Sequence, residues 1–259
     1  MDSTGSVLRF TLIMCAITSL LLAGLFYSTK ERAKQNEAIF NKRAILSAVS
    51  TYLDENPKEM SDERVLEIFD NQVEQTVLNM DGKEVDADAV KAAGHKGGRA
   101  EDIDMKKEKK KPEEDRLLPM FIFNSDSKKF YIVSVRGNGL WDEIWGNIAI
   151  ESDFNTVAGA TFDHVAETPG LGAEIKDNPA FKAQFSDLKL YDDDGDYVSI
   201  TVRKGGAKDQ DHEVDGISGA TVTCDGVTEM LDRGIKYYEP YFAKLRGTTT
   251  SKPVGLLSK

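Results

Sequence analysis

The sequence predicts an α+β protein: a single N-terminal transmembrane helix followed by a soluble domain of antiparallel strands with a C-terminal helix. Three observations carry that prediction. Residues 10–27, FTLIMCAITSLLLAGLFY, run for 18 residues without a charge, close to the roughly 20 that cross a bilayer as a helix. The second half alternates short apolar runs with turn residues and lacks the β-α-β succession of a doubly wound sheet. Near the C-terminus, Val227, Met230, Leu231, Ile235, Tyr238, Phe242 and Leu245 recur at helical spacing.

The totals narrow the function. In 259 residues, 33 Lys plus Arg face 44 Asp plus Glu, a net charge of -11, whereas nucleic-acid binding calls for a surplus of positive charge. The three histidines (His95, His164, His212) and two cysteines (Cys15, Cys224) fit no zinc, haem or iron–sulfur spacing. Cys15 lies inside the apolar run without the small residue that precedes a lipoprotein cysteine, so it reads as an apolar helix residue. The rival reading of that run is a cleaved signal peptide with Arg9 as its basic region. The apolar run passes through Leu25, Phe26 and Tyr27 into a charged helix without a cleavage pattern, which favours retention. Counting charges, Arg9 before the run against Lys30, Arg32 and Lys34 after it points the large domain inward.

Along the chain, residues 1–9 form a tail, 10–27 the membrane helix, 28–116 a juxtamembrane helix with a small α/β region and a charged insertion, 117–246 the main domain, and 247–259 a C-terminal tail. Apolar positions from Ile39 to Leu53 keep helical spacing, and Pro57 should end that helix. A short helix is expected near Val65–Phe69 and a hairpin in QTVLNMDGKEV, where Asp81-Gly82 suits a tight turn. Residues 92–115, AAGHKGGRAEDIDMKKEKKKPEED, carry few large apolar side chains and read as a solvated surface insertion. MFIFNSDSKKFYIVSVRG is a hairpin around residues 124–127, and further strands are expected at 147–151, 156–163, 188–191 and 197–203. A closing helix spans 225–245, capped by Thr223 and kinked by Pro240.

Three glycine-containing stretches could carry chemistry: RGNGLWDEIWG (136–146), ETPGLGAEI (167–175) and DGISGATVT (215–223). Glycine permits positive φ or close backbone approach, which turns and phosphate cradles share. The first stretch reads as a strand end turning into a short helix, with Trp141 and Trp145 one turn apart in the core. The second reads as a tight turn on Pro169-Gly170, whose raised Leu171 could press on a flat ring. The third precedes a helix whose free amides and positive dipole end favour a phosphate, in solution or as a phosphodiester on a threonine.

Asp215-Gly216 before Ser218-Gly219-Ala220-Thr221, with ETPGLG about 50 residues upstream and a membrane helix at the start, closely resembles the covalent FMN-binding domain family. Within it, GNGLWDEIWG and the whole layout are similar to the C-subunit family of the sodium-translocating NADH:quinone oxidoreductases. The likeness spans essentially the whole chain, apart from the Lys-rich insertion. It implies FMN joined through its phosphate to Thr221 rather than Thr223, by a flavin transferase that recognises Asp215, Gly216, Ser218, Gly219 and Ala220. It implies that Glu167, Thr168, Gly170, Leu171 and Gly172 lie along the flavin, with Leu140 and Trp141 beside it. It further implies an electron carrier, not catalytic alone, among other membrane subunits that oxidise NADH, reduce quinone and export sodium, single-pass in a bacterial inner membrane with its soluble domain periplasmic. The flavin subunit of the related ferredoxin:NAD+ oxidoreductase complex shares these motifs, and a membrane-anchored binding domain without cofactor would read all three stretches as plain turns.

Overall fold

The computed structural model describes residues 4–125 and 128–250. They divide into a helical N-terminal unit, residues 4–41, and a compact unit of the described residues from 42 to 250. Helix α1 (Thr4–Ser47) is one continuous helix, long and apolar enough to cross a membrane. Residues 4–38 are all solvent-exposed.

The helix stops at Ser47, ahead of Leu53 and Pro57 where the sequence pattern placed its end. Arg43 explains the early stop, because its guanidinium donates to the carbonyls of Pro57 and of Met60, the latter at 2.8 Å, and draws the chain back over the last turn. Helix α2 (Asp62–Gln72) starts on Ser61, whose hydroxyl accepts from the Arg64 amide at 3.2 Å, and buries Val65, Ile68 and Phe69. Strand β1 (Val73–Asn79) follows directly. The turn at Asp81-Gly82 forms, with Gly82 at φ 64, but its return arm is only the bridge Leu78 to Glu84.

The Lys-rich insertion is folded, not simply solvated. Helix α3 (Ala87–Ala92) leads into it and helix α4 (Met105–Glu108) lies within it. His95 and Glu108 are buried within it, Nε2 to Oε1 at 2.6 Å. Glu108 also accepts from the Leu117 amide at 2.8 Å and faces Lys111 Nζ at 2.7 Å. A buried carboxylate needs such partners, and the composition of the segment concealed that they lie inside it.

Strands β2 (Leu117–Asn124), β3 (Lys129–Asn138), β4 (Glu143–Ile150) and β5 (Val157–His164) join β1 in a five-stranded antiparallel sheet of order β1-β2-β3-β4-β5. Short helices α5 (Glu174–Asp177) and α6 (Pro179–Ala183) pack against β5. The strand expected at 188–191 reduces to bridges, because Asn155 Oδ1 captures the amides of Leu190 and Tyr191 at 2.9 and 3.0 Å. Strand β6 (Thr201–Arg203) pairs in parallel with β7 (Glu213–Asp215), a three-residue strand with two acids that gave no strand signature.

Helix α7 (Thr221–Lys236) lies across β3. A Cβ on Gly137 would sit 2.7 Å from Met230 Cβ, and one on Gly234 would sit 2.7 Å from Val135 Cγ1, so glycine brings helix and strand together. The closing helix is broken rather than kinked: α7 ends at Lys236 and α8 (Glu239–Thr250) begins just before Pro240. At the break, Tyr238 is fully buried and its hydroxyl donates to the Pro119 carbonyl at 2.8 Å.

Candidate functional site

The three glycine stretches meet, and Glu167 is the residue that joins them. Its side chain is 5% exposed. Oε1 accepts the Trp141 amide at 2.9 Å, and Oε2 accepts the Thr223 hydroxyl at 2.6 Å. Its own amide donates to His164 Nδ1 at 3.1 Å. From its own loop, one carboxylate therefore bonds both the turn after β3 and the first turn of α7.

Glycines make room for it. A Cβ on Gly139 or on Gly172 would collide with a Glu167 carboxylate oxygen, and the one on Gly172 would also sit 2.7 Å from Thr223 Oγ1. Gly226 of α7 packs on the Asn138 carbonyl, leaving no space for a side chain.

Each loop is a tight turn for a local reason. Gly139 donates to the Asp142 carbonyl at 2.8 Å, closing the turn between β3 and β4, whose last pair is Asn138 with Glu143. The strand end thus returns as a strand rather than entering a helix. Trp141 is 67% exposed and outside the core, with Nε1 donating to Thr168 Oγ1 at 3.1 Å, while Trp145 lies on β4 with the Arg136 guanidinium over its ring at 4.9 Å. In the second loop the Leu171 amide reaches the Thr168 carbonyl at 3.1 Å, with Pro169 second and Gly170 third at φ 74, as a type II turn requires. In the third, Ala220 donates to the Ile217 carbonyl at 3.1 Å and Gly219 sits third at φ 79. A Cβ on Gly219 would meet Leu171 Cδ2 at 2.7 Å, so the second and third loops touch.

The two threonines separate. Thr221 opens α7, with Ala220 rather than Thr223 in the cap position and no side-chain cap. The residue is half-buried, and its hydroxyl has no hydrogen-bond partner among the described residues. Thr223, 1% exposed, is committed to Glu167. By position, the amides of residues 221–223 lack intrahelical acceptors, so α7 presents free donors and the positive end of its dipole beside Thr221. Cys224 is no competing nucleophile, because burial pushes its thiol up and its sulfur accepts the Ile217 amide at 3.3 Å.

Of the other predicted residues, Ser218 and Gly219 lie on the rim and Ala220 is buried. Asp215 is occupied elsewhere: its Oδ1 accepts the Ala207 amide at 2.7 Å, and its amide donates to Gln184 at 2.8 Å. Leu140, Trp141, Leu171 and Val222 are exposed, one or more from each loop. Sequence reasoning missed the tie of Thr223 to Glu167. The available signal was an acid within an otherwise small and apolar loop, which needs partners if it is buried. No group of three or more metal-ligating side chains occurs among the described residues.

The three loops thus bring together a half-buried threonine at a helix start, glycine-thinned turns and exposed apolar side chains. The chain is a flavoprotein by class: residues 139–236 match the model of the FMN-binding domain. It is similar to the C subunit of the Na(+)-translocating NADH-quinone reductase of Pseudomonas aeruginosa, 32% identical with 95% of this chain and 97% of that one covered. The same subunit of Vibrio anguillarum is 30% identical over 95% and 96%. Among solved structures, the C subunit of the Parabacteroides distasonis reductase superposes with a TM-score of 0.69 at 32% identity, covering 82% of this chain and 96% of that one. NqrC of Shewanella oneidensis gives 0.65 at 26% identity, covering 83% and 99%. The chain belongs to the C-subunit family of the Na(+)-translocating NADH-quinone reductases.

Proposed function

We propose that FMN is carried covalently, its phosphate esterified to Thr221 Oγ1, and that the protein relays electrons in a membrane complex coupling NADH oxidation and quinone reduction to sodium export. The contrast between the two threonines carries this reading: Thr221 offers a hydroxyl without a partner among the described residues at the start of α7, while Thr223 is buried on Glu167. A flavin transferase would form the ester from FAD, the Thr221 hydroxyl displacing AMP at phosphorus and giving up its proton. The helix N-terminus suits the resulting charged diester.

Bound flavin supplies the redox chemistry, and the protein sets its position and environment. Leu171, packed on Gly219, and Trp141, held through Glu167 and Thr168, are the side chains we assign to the ring. Gly170 and Gly172 shape the intervening turn. Asp215, Ser218, Gly219 and Ala220 form the surface the transferase reads. A covalent tether removes the dissociation equilibrium, so a shallow site on exposed loops retains its cofactor. The names of the relatives support the assignment to a reductase complex with other subunits, and we assign the soluble unit to the periplasmic side of the inner membrane.

Intact mass after co-expression with a flavin transferase tests the attachment. The wild type is expected to gain one FMN less water, Thr223→Ala to keep that gain and Thr221→Ala to lose it. An unmodified wild type, or a gain that survives Thr221→Ala, would sink the assignment.

A further inference from the structure

Glu108, Asp163 and Glu167 are buried carboxylates. Glu108 faces Lys111 Nζ at 2.7 Å, and Asp163 faces Lys176 Nζ at 2.8 Å. Glu167 differs. Among the described residues it joins no ion pair, and its oxygens bond only neutral groups, the Trp141 amide at 2.9 Å and the Thr223 hydroxyl at 2.6 Å. The start of α7 supplies the equivalent of about half a positive charge, so the carboxylate and the helix end together stay net negative. An isolated charge is unfavourable to bury. Joining the loops does not require it, because a glutamine amide in the same place could accept from Trp141 and donate to Thr223.

The charge lies where a group held on these loops would feel it. One oxygen is bonded to the backbone of Trp141, and a Cβ on Gly172, the residue after Leu171, would strike the other. Trp141 and Leu171 are the side chains assigned above to the flavin ring. At 5% exposure Glu167 is shielded from the water and salt that screen surface charges. A poorly screened negative charge beside a redox group opposes the arrival of an electron.

We infer that the Glu167 carboxylate lowers the one-electron reduction potential of the bound flavin, by opposing the negative charge that an added electron brings to the ring. The inference rests on the FMN reading above. The electron passes from a donor to the flavin, and Glu167 itself is neither oxidised nor reduced. Spectroelectrochemical titration of the full-length protein in detergent, loaded by co-expression with a flavin transferase, tests it. Glu167→Gln is expected to raise the one-electron midpoint by about tenfold in the reduction equilibrium, about 59 mV. Because the charge is buried, that difference from the wild type should persist from about 0.1 M to about 1 M salt. By reciprocity the added electron acts on Glu167 as strongly as Glu167 acts on it. Reduction of the loaded wild type should therefore shift a carboxylate band in the infrared difference spectrum, which decides the matter if Glu167→Gln does not fold or load. Equal potentials in the loaded wild type and variant, a difference that vanishes in high salt, or no carboxylate change in the wild type would overturn the inference and leave the attachment standing. A wild type that takes up no FMN would overturn both.

Discussion

Glu167 accepts from two groups that have no alternative acceptor in view, the Trp141 amide and the Thr223 hydroxyl. Glu167→Ala leaves both donors stranded, at about 1–3 kcal/mol each where they are buried. Glu167→Gln is gentler, because its amide nitrogen can face Thr223, whose hydroxyl can turn to accept, while its oxygen keeps the Trp141 amide. Denaturant unfolding should therefore rank wild type above Gln and Gln well above Ala, and Trp141, freed from its loop, should change the emission of the Ala variant. Equal losses for Gln and Ala would mean that the carboxylate fills space and does not join the loops. Much of this site was legible in the sequence, since glycine stretches and a helix start announce close backbone approach. The choice between threonines was not legible from local pattern alone. Two steps along a helix rotate a side chain by about 200°, so Thr221 and Thr223 point to opposite sides, and only the packing of α7 on β3 settles which is buried.

At the scale of elements, sequence patterning succeeded where one face of a segment is buried and failed where polar groups do the holding. The strands β3 and β5 and the helix α7 carry an apolar period that matches their burial, β2 is a continuous apolar run buried almost throughout, and β4 was expected only from residue 147 onward. The insertion shows no such match, because its anchor is the buried Glu108, a charge that composition counts as surface. Burial acts to raise the Glu108 carboxyl, but Lys111, the Leu117 amide and His95 outweigh it and hold the group below the usual range. A depressed folded-state value means the stabilisation is complete above the ordinary glutamate pKa of about 4.3 and is lost as pH falls through the depressed value. Glu108→Gln should thus lower the midpoint of thermal unfolding at neutral pH, by roughly 2–4 °C for each kcal/mol lost in a chain of this size. The gap to wild type should narrow once the solution is more acid than about pH 4. A gap that stays constant with pH would show that the charge of Glu108 contributes nothing.

At the scale of the whole molecule, the order of parts was read in the sequence because lipid and water impose different patterns: an uncharged run for the bilayer, a short period for the sheet. Less legible was that the compact unit begins within α1, at residue 42. The helix buries Ile45 and Leu46 in its last turns with no break in its own pattern. Membrane orientation is subject to two opposing influences. Lys30, Arg32 and Lys34 follow the apolar run while Arg9 precedes it, which by charge alone would keep the compact unit in the cytoplasm. Charge bias acts through short flanking segments, and large folded segments cross the membrane largely regardless of it; the family resemblance implies the periplasm for this one. A reporter active only in the periplasm, fused after Lys259, is therefore expected to be active, and a cytoplasmic reporter at the same position silent. Replacing Lys30, Arg32 and Lys34 together by Gln removes the charges that pull the other way, so periplasmic activity should hold or rise. Activity of the cytoplasmic reporter in the wild-type chain would reverse the assignment and put Thr221 on the cytoplasmic side of the membrane.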